Sequence, residues 1–386
     1  MYPGGTTQSV TIDKDGRPSA VKASSGTVTL IDLGYSYADA TGKDTSKIRT
    51  RTDNLTKYKT SYTYDSQDRL TYALEADSAG TRKASWLYCF DKAGNRTSTD
   101  ATKTTCPGAT TCTYNDANQL TAKNGTTTGW SYDNLGNETA GASATARTGE
   151  TWTDYSQLSA ITAGGTTYDL VHAGTDNAER TKLGSTWFHH TALGLASTTT
   201  NGVDTGFIRE PAGTLNSMTS GGKSYYYLTD ATGNVLGLVD DTGKRTHTYA
   251  YGPTGLPRTT PTEAVPQPFR YTGAYLDPTG LYKMGARYYG PSLGRFTQPD
   301  PSGQETNPYL YAAGDPVNNV DPEGLGWLMG TVRFVKSKGG MLLGRAGGAI
   351  TVGCYAKKAW EDTDNSWSDE FSDLGHCVNP VDDITS

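Results

Sequence analysis

The chain has 386 residues and a net charge of −6. Leu, Val, Ile and Phe together supply 56 residues, about 15%, which is below the roughly 20% expected for a packed core, yet 25 Tyr, 7 Trp and the small net charge argue against disorder. No run of about 18 apolar residues is present, which argues against a membrane span, and the acidic balance argues against a nucleic-acid surface on the folded part.

The amino-terminal residues Met1–Gly5 contain neither the basic stretch nor the apolar stretch that begins a secretory signal. If the protein is exported, its signal must therefore lie outside this sequence, or another route must carry it.

A short phrase recurs through the first part of the chain: aromatic residues, then Asp or Asn, then a turn that contains Gly or Asn. Its clearest copies are 18 to 27 residues apart and are anchored at Tyr37, Tyr64, Phe90, Tyr114 and Tyr132. A regular spacing of this size is the mark of a protein built from structural repeats.

Each copy predicts a β-hairpin. Aromatic residues two positions apart lie on one face of a strand, and the Asp, Asn and Gly residues that follow favour a turn. One hairpin is too small to bury its own aromatic face. Stacked hairpins are therefore expected to form a ladder of rings, in which each cross-strand pair contributes roughly 0.2–1 kcal/mol.

Two of these copies, Tyr64–Thr71 and Tyr132–Asn137, resemble the YD repeats of the Rhs and teneurin families. The resemblance implies a shell of β-hairpins that spirals around a hollow interior. The spacing alone would also fit a solenoid or an open sheet, and an unrelated β-rich adhesin stalk is a further alternative.

The cysteines fit neither a zinc ribbon nor a redox CxxC motif. Cys106 could pair with Cys112 and Cys354 with Cys377 in an exported protein, which would leave Cys89 over. Reduced, packed cysteines are the alternative.

A denser segment follows at residues 225–325. Its second half reads ARYYGPSLGRF, then DPSG at 300–303, NPYLY, and DPEGL at 321–325. This order of phrases closely resembles the Rhs repeat-associated core, and the repeats and core together cover roughly residues 30–325.

In that family the core separates the shell from a variable C-terminal cargo, commonly a toxin, and in many members the shell cuts the cargo off. Carried to this sequence, the resemblance implies a scissile bond between Leu325 and Gly326. Asp300 and Asp321 would form an aspartic-protease-like pair, with Arg295 positioning or biasing one of them. One carboxylate would activate a water, and the other, kept protonated by its neighbour, would protonate the scissile carbonyl or amine.

The first aspartate phrase departs from the family pattern. It reads DPSGQ, so Gln304 stands where the family often has leucine, and the gap from Gln304 to Asp321 is shorter than usual. Asp-Pro is also a common turn pair, so the alternative is that both aspartates only cap turns.

Residues 326–386 form a tail of 61 residues. Its first part, up to Lys358, has six basic and no acidic residues, and the remainder has eight acidic and no basic ones. A short helical segment is predicted, but the Gly-rich apolar stretch is too interrupted to span a bilayer. His376 beside Cys377 is typical of local structure or a disulfide rather than a metal site. A truncated toxin, a small membrane-active peptide and an inert remnant all fit this composition.

The expected protein is all-β, with a YD-repeat shell over residues 1–224, a core over 225–325 and a short mixed or α-helical tail over 326–386. We expect a secreted or cell-surface shell of a bacterial polymorphic toxin, enclosing its own tail as cargo, with no cofactor and no metal. An immunity protein and a cell-surface glycan or protein are the expected partners, and self-cleavage by the core is the one enzymatic activity implied. The alternative is a non-catalytic extracellular or wall-associated module that binds glycan or protein.

Overall fold

The computed structural model describes residues 2–107, 111–143, 145–175, 177–211, 213–326 and 328–329. These residues form antiparallel β-sheets in which consecutive strands pair in chain order. Their helical elements are three short 3-10 turns, Pro3–Gly5, Tyr271–Gly273 and Ala312–Gly314. The predicted all-β shell is confirmed, whereas the predicted helix of the tail lies outside the described residues.

Two large sheets make up the wall of the molecule. The first has eight strands: β1 (Thr6–Ile12), β2 (Pro18–Ser25), β3 (Val28–Ser36), β4 (Thr50–Asp53), β5 (Tyr58–Tyr64), β6 (Leu70–Ala76), β7 (Arg82–Phe90) and β8 (Arg96–Asp100). A two-stranded sheet follows: β9 (Cys112–Tyr114) and β10 (Leu120–Lys123). The second large sheet has thirteen strands: β11 (Trp130–Tyr132), β12 (Glu138–Gly141), β13 (Arg147–Trp152), β14 (Leu158–Ala163), β15 (Thr166–His172), β16 (Arg180–Leu183), β17 (Thr186–Thr191), β18 (Gly194–Thr200), β19 (Val203–Arg209), β20 (Leu215–Ser220), β21 (Lys223–Thr229), β22 (Val235–Asp240) and β23 (Arg245–Thr248).

The segment after β23, residues 249–326, carries only short strands and is called the core segment below. Four of them form one sheet: β24 (Tyr275–Leu276), β25 (Tyr282–Met284), β26 (Arg287–Gly290) and β27 (Arg295–Phe296). Near its end, β28 (Asn319–Val320) pairs with β29 (Leu328–Met329). Strand β21 runs across residue 224, so the predicted division there is one of sequence motifs and stays a prediction.

The aspartate of each repeat makes the turn of its hairpin. One carboxylate oxygen of Asp65 accepts the backbone N–H groups of Gln67 at 2.9 Å and Arg69 at 3.0 Å. Asp133 does the same for the residues two and four positions later, at 2.9 and 2.8 Å. This carboxylate satisfies two amides that the turn leaves unpaired, which explains why Asp or Asn recurs at this position of the repeats.

The aromatic residue before each turn ties its hairpin to the preceding one. The hydroxyl of Tyr64 donates to the carbonyl of Ile48 at 2.7 Å, and that of Tyr114 donates to the carbonyl of Arg96 at 2.8 Å. The buried phenol thus finds its hydrogen-bond partner on the neighbouring unit, as buried tyrosines usually require. These bonds explain why tyrosine recurs at this position.

The wall overlaps itself where its two ends meet. Tyr225 and Tyr227 of β21 face the core segment, whereas Tyr226 and Leu228 face the other way, because side chains alternate along a strand. On that second face lie β2 and β3 of the first sheet, with Val21, Ala23, Ile31 and Leu33 packed on Leu228 and Val239. Strand β21 is therefore buried on both faces, and the first strands of the wall cover the last.

The space inside the wall is occupied by aromatic side chains of the core segment. The ring of Tyr289 lies 4.4 Å from that of Tyr311 and 6.0 Å from that of Phe296, measured between centroids. All three side chains are almost completely buried. Rings supplied by the core segment therefore fill this part of the interior, in addition to the ladder predicted along the wall.

The predicted pairing of Cys106 with Cys112 is wrong. Cys106 forms a disulfide with Cys89 of β7, and Cys112 is a buried free thiol. The loop that carries Cys106 brings its Cα to 5.8 Å from that of Cys89. The other predicted pair, Cys354 with Cys377, lies outside the described residues.

Candidate active site

The core segment docks onto the row of hairpin turns along the wall. The Tyr309 hydroxyl donates to the carbonyl of Gly136 at 2.7 Å, and the Asn307 side-chain amide donates to the carbonyl of Ala93 at 3.1 Å. Farther along, the ammonium of Lys47 pairs with the buried carboxylate of Asp315 at 2.9 Å. These contacts hold residues 300–321, which carry both predicted aspartates, between several turns of the wall.

Asp321 lies directly against the predicted scissile bond. Its carboxylate accepts the N–H of Leu325 at 3.2 Å and the N–H of Gly326 at 3.3 Å. The nitrogen of Gly326 is the leaving nitrogen of the Leu325–Gly326 peptide bond. After this bond the chain returns to the strand before Asp321, because Leu328 of β29 pairs with Val320 of β28.

The carboxyl group of Asp321 is only 2% exposed and pairs with a buried arginine. The guanidinium of Arg287 donates to it at 2.8 Å and lies over the ring of Phe296, 3.6 Å from the centroid. Burial raises the pKa of Asp321 above its ordinary value, although Arg287 and the two amide N–H groups oppose the shift. The carboxyl therefore keeps its proton to a higher pH than an exposed aspartate does.

Asp300 lies on the other side of Arg287. The guanidinium of Arg287 and the backbone N–H of Asp300 share the carbonyl of Pro308, at 3.0 and 2.8 Å. The Asp300 carboxylate accepts the backbone N–H and the hydroxyl of Ser302, at 3.0 and 2.7 Å. These contacts are those of a residue that caps a turn, so Asp300 does cap the turn at Pro301 and Ser302.

Besides capping this turn, Asp300 lines a cavity. The cavity has a volume of about 200 Å³ and opens to solvent, so it is large enough for water. Its lining combines polar and apolar groups: Leu135, Asn137, Ser156, Asn177, Ala286, Arg287, Gln298, Pro299, Asp300 and Pro301.

Arg295, the predicted positioning residue, points at the wall instead. Its guanidinium donates to the carbonyl of Asn118 at 2.6 Å and lies over the ring of Tyr309, 4.5 Å from the centroid. Of the two arginines in the phrase ARYYGPSLGRF, it is Arg287 whose guanidinium contacts Asp321. Nothing in the sequence distinguishes these two arginines.

The last motif glycine packs against the strand that carries Arg287. Gly324 has a φ of +61°, and a Cβ atom there would lie 2.5 Å from the carbonyl oxygen of Met284 and 2.9 Å from the nitrogen of Arg287. The turn is also held by the N–H of Ala286, which donates to the carbonyl of Glu323 at 2.8 Å. Close approach of the two backbones therefore sets the position of the Leu325–Gly326 bond relative to Asp321.

Replacing Gly324 with Ala is expected to lower the free energy of unfolding more than replacing Gly303 does. Both glycines have a positive φ, which disfavours Ala by about 1–2 kcal/mol, but a Cβ on Gly303 would meet no described atom within 4 Å. The clash at Gly324 adds about 1–3 kcal/mol. Urea unfolding of the two variants measures the difference, and equal losses would show that the close packing at Gly324 is unimportant.

These groups could perform acid–base hydrolysis of one peptide bond. Asp321 is placed to act on the leaving nitrogen, Asp300 borders a space for water, and Arg287 lies between them. No three His, Cys, Asp or Glu side chains in the described ranges come together as a metal site would require. Within those ranges, too, no helix is long and apolar enough to cross a membrane.

Comparison with family models gives two matches within the wall and core. The teneurin YD-shell model matches residues 198–314, and the RHS repeat model matches residues 114–151. The first match includes the last strands of the second large sheet and most of the core segment. The second includes the hairpins around Tyr114 and Tyr132.

Similar curated proteins are much longer than this chain. The tRNA nuclease WapA of Bacillus subtilis (strain 168) is 30% identical over 256 residues, which are 61% of this chain and 11% of that protein. The toxin protein Tse5 of Pseudomonas aeruginosa is 37% identical over 108 residues, which are 26% of this chain and 8% of that protein. The chain thus spans about a tenth of the length of these relatives.

Two solved structures share the fold. The crystal structure of TcdB2-TccC3-TEV superposes with a TM-score of 0.64 and 18% identity, over 83% of this chain and 18% of that chain. The Tc holotoxin pore of Photorhabdus luminescens gives a TM-score of 0.63 and 16% identity, over 88% of this chain and 18% of that chain. At these identities the likeness concerns the arrangement of the β-strands.

Proposed function

Since this chain is a YD-repeat protein of the Rhs and teneurin-like type, we propose that it is the shell of a secreted bacterial toxin that cuts off its own C-terminal tail. The observation that supports cleavage most directly is the contact between the Asp321 carboxylate and the N–H of Gly326. Toxin names among the similar proteins support a toxic cargo.

The cleavage step assigns a separate task to each charged group. A water in the cavity beside Asp300 loses a proton to the Asp300 carboxylate as its oxygen attacks the carbonyl carbon of Leu325. Asp321 donates its proton to the nitrogen of Gly326, and the C–N bond breaks. The products are a carboxylic acid at Leu325, which then loses its remaining proton to solvent, and an amine at Gly326. Asp300 now holds one proton and Asp321 none, so the pair carries the same single negative charge as before, and Arg287 balances it.

The elevated pKa of Asp321 suits this division of labour. A general acid has to hold its proton at the working pH, and burial moves this carboxyl in that direction. Asp300 borders the open cavity, which would supply the water that a general base activates.

The cargo in this proposal is the tail, residues 326–386. Expression of the tail in a bacterial host is expected to arrest growth, and an immunity protein is expected to relieve the arrest. The tail in reversed sequence order is the matched control, because it has the same composition and charge. A harmless tail, together with binding of the rest of the chain to a cell-surface glycan, would instead support a binding module.

A further inference from the structure

Two glutamates and one arginine form a buried cluster at one end of the second large sheet. Arg147 of β13 pairs with Glu138 of β12, and its Nε donates to Glu150 at 3.0 Å. The three side chains are at most 4% exposed.

The charges of this cluster do not balance. Two ionised carboxylates and one guanidinium leave a net charge of −1 in a site without solvent. One carboxylate oxygen of Glu150, Oε2, has no hydrogen-bond partner among the described residues. A buried, unpaired negative charge is costly, so such a group usually retains a proton instead. Burial, together with the charge of Glu138, raises the pKa of Glu150 to about 8.

The cluster lies between β12 and β13, which share few backbone hydrogen bonds. Strands β12 and β13 are joined by a single residue pair, Gly141 with Arg147. Glu138 also connects the wall to the core segment, because its backbone N–H donates to the carbonyl of Thr297 at 2.9 Å. The indole of Trp152 donates to the Glu138 carbonyl at 2.8 Å. The ion pairs therefore carry much of the attachment of β12 to β13.

The remaining ionisable groups near the cluster do not supply a second positive charge. Tyr132 of β11 and Tyr309 of the core segment interact electrostatically with Glu138, and both are neutral at ordinary pH. Strand β14, the other neighbour of β13, contains no ionisable residue. Arg295 lies beyond Tyr309 and donates to the wall at Asn118.

We propose that Glu138, Arg147 and Glu150 form a proton-dependent latch. It holds β12 to β13 and to the core segment while the two carboxylates share one proton, and it weakens this part of the wall when that proton leaves. The direction follows from linkage. A carboxyl that holds its proton more tightly in the folded state contributes stability at low pH, and this stability is lost as the pH rises towards the folded value.

Hydrogen–deuterium exchange of the amides in residues 138–152, corrected for intrinsic exchange rates, tests the latch between pH 6 and 8. In the wild type the opening equilibrium constant is expected to rise about tenfold per pH unit at first and less steeply near pH 8, or about 50-fold over this range. Glu150→Gln replaces the protonated carboxyl with a neutral amide. The opening equilibrium constant of this variant is therefore expected to be the same at pH 6 and at pH 8. Glu210→Gln, an exposed glutamate of the same sheet, is expected to follow the wild type.

Glu138→Gln is the second variant, because removing either carboxylate removes the excess charge. It is also expected to flatten the pH dependence. A wild-type slope retained in both variants would overturn the proposal. Failure of both to fold at neutral pH would overturn it too, because the fold would then need two ionised carboxylates.

Discussion

Replacing Asp321 with Asn is expected to leave one chain of 41.2 kDa where the wild type separates into residues 1–325 and 326–386. Asn keeps the size of the side chain and one of the two oxygens that accept the N–H groups of Leu325 and Gly326. It has no proton to give to the leaving nitrogen. Loss of a general acid lowers a rate about 10²- to 10⁴-fold, so the fragments are expected to fall below detection on a denaturing gel.

Asp240→Asn is the matched control for this experiment. Asp240 likewise accepts two backbone N–H groups, those of Thr242 and Lys244 at 3.0 Å each, but it caps a turn of the wall and does not belong to the site. That variant is expected to cut at the wild-type rate. A wild-type chain that stays intact, or an Asp321→Asn chain that is cut normally, would contradict the proposed cleavage.

The pH dependence of the cleavage rate is a second test of Asp321 as the general acid. Since the pKa of Asp321 is raised and its acid form is the active one, the rate is expected to fall as the pH rises through that raised value. Any activity left in Asp321→Asn is expected to lack this alkaline fall.

Replacing Arg287 with Leu is expected to lower the free energy of unfolding by about 3–5 kcal/mol, the range seen when one partner of a buried ion pair is removed. Arg287 is fully buried, and without it the Asp321 carboxylate would lose its only arginine partner in the described structure. The variant also loses the contact with the ring of Phe296. Urea unfolding at a pH above the raised pKa of Asp321 measures this change, because the ion pair is complete only where Asp321 has lost its proton.

Two further variants show whether the buried charge is the cause. Arg17→Leu removes an arginine that pairs with three aspartates, Asp13, Asp15 and Asp44, and lies over the ring of Tyr37, but is 19% exposed. It is expected to cost about 1 kcal/mol or less, because water can hydrate the remaining carboxylates. The double variant Arg287→Leu with Asp321→Asn is expected to recover part of the loss. Equal losses for Arg287→Leu and Arg17→Leu would exclude the buried charge as the reason.

The repeats and their turns could be predicted from sequence because each is a local event. Asp65 and Asp133 bind amides only two and four residues away, so a window of a few residues contains all the participants. The alternation of aromatic residues likewise predicts a strand without knowledge of its neighbours. The two aspartate phrases were found in the same way, as ordered short motifs.

The choice between the two arginines of the core phrase could not be predicted in this way. Arg287 and Arg295 lie on adjacent strands, β26 and β27, and the pairing of Gly290 with Arg295 sets which group each guanidinium meets. Arg287 reaches Asp321, 34 residues later, whereas Arg295 reaches Asn118, 177 residues earlier. The predicted cysteine pairing was wrong for the same reason. The partner of Cys106 is Cys89 of β7, and nothing in the local sequence around Cys106 indicates that these two residues meet.

The sequence by itself determined the β-hairpins, the residues of their turns and the position of the aspartate phrases, because these depend on contacts within about ten residues. The tertiary structure alone decided which distant groups meet: the first strands of the wall with the last, Arg287 with Asp321, and Arg147 with two glutamates. It also decided their protonation, because burial raises the pKa of a carboxyl only after the surrounding strands have removed its water.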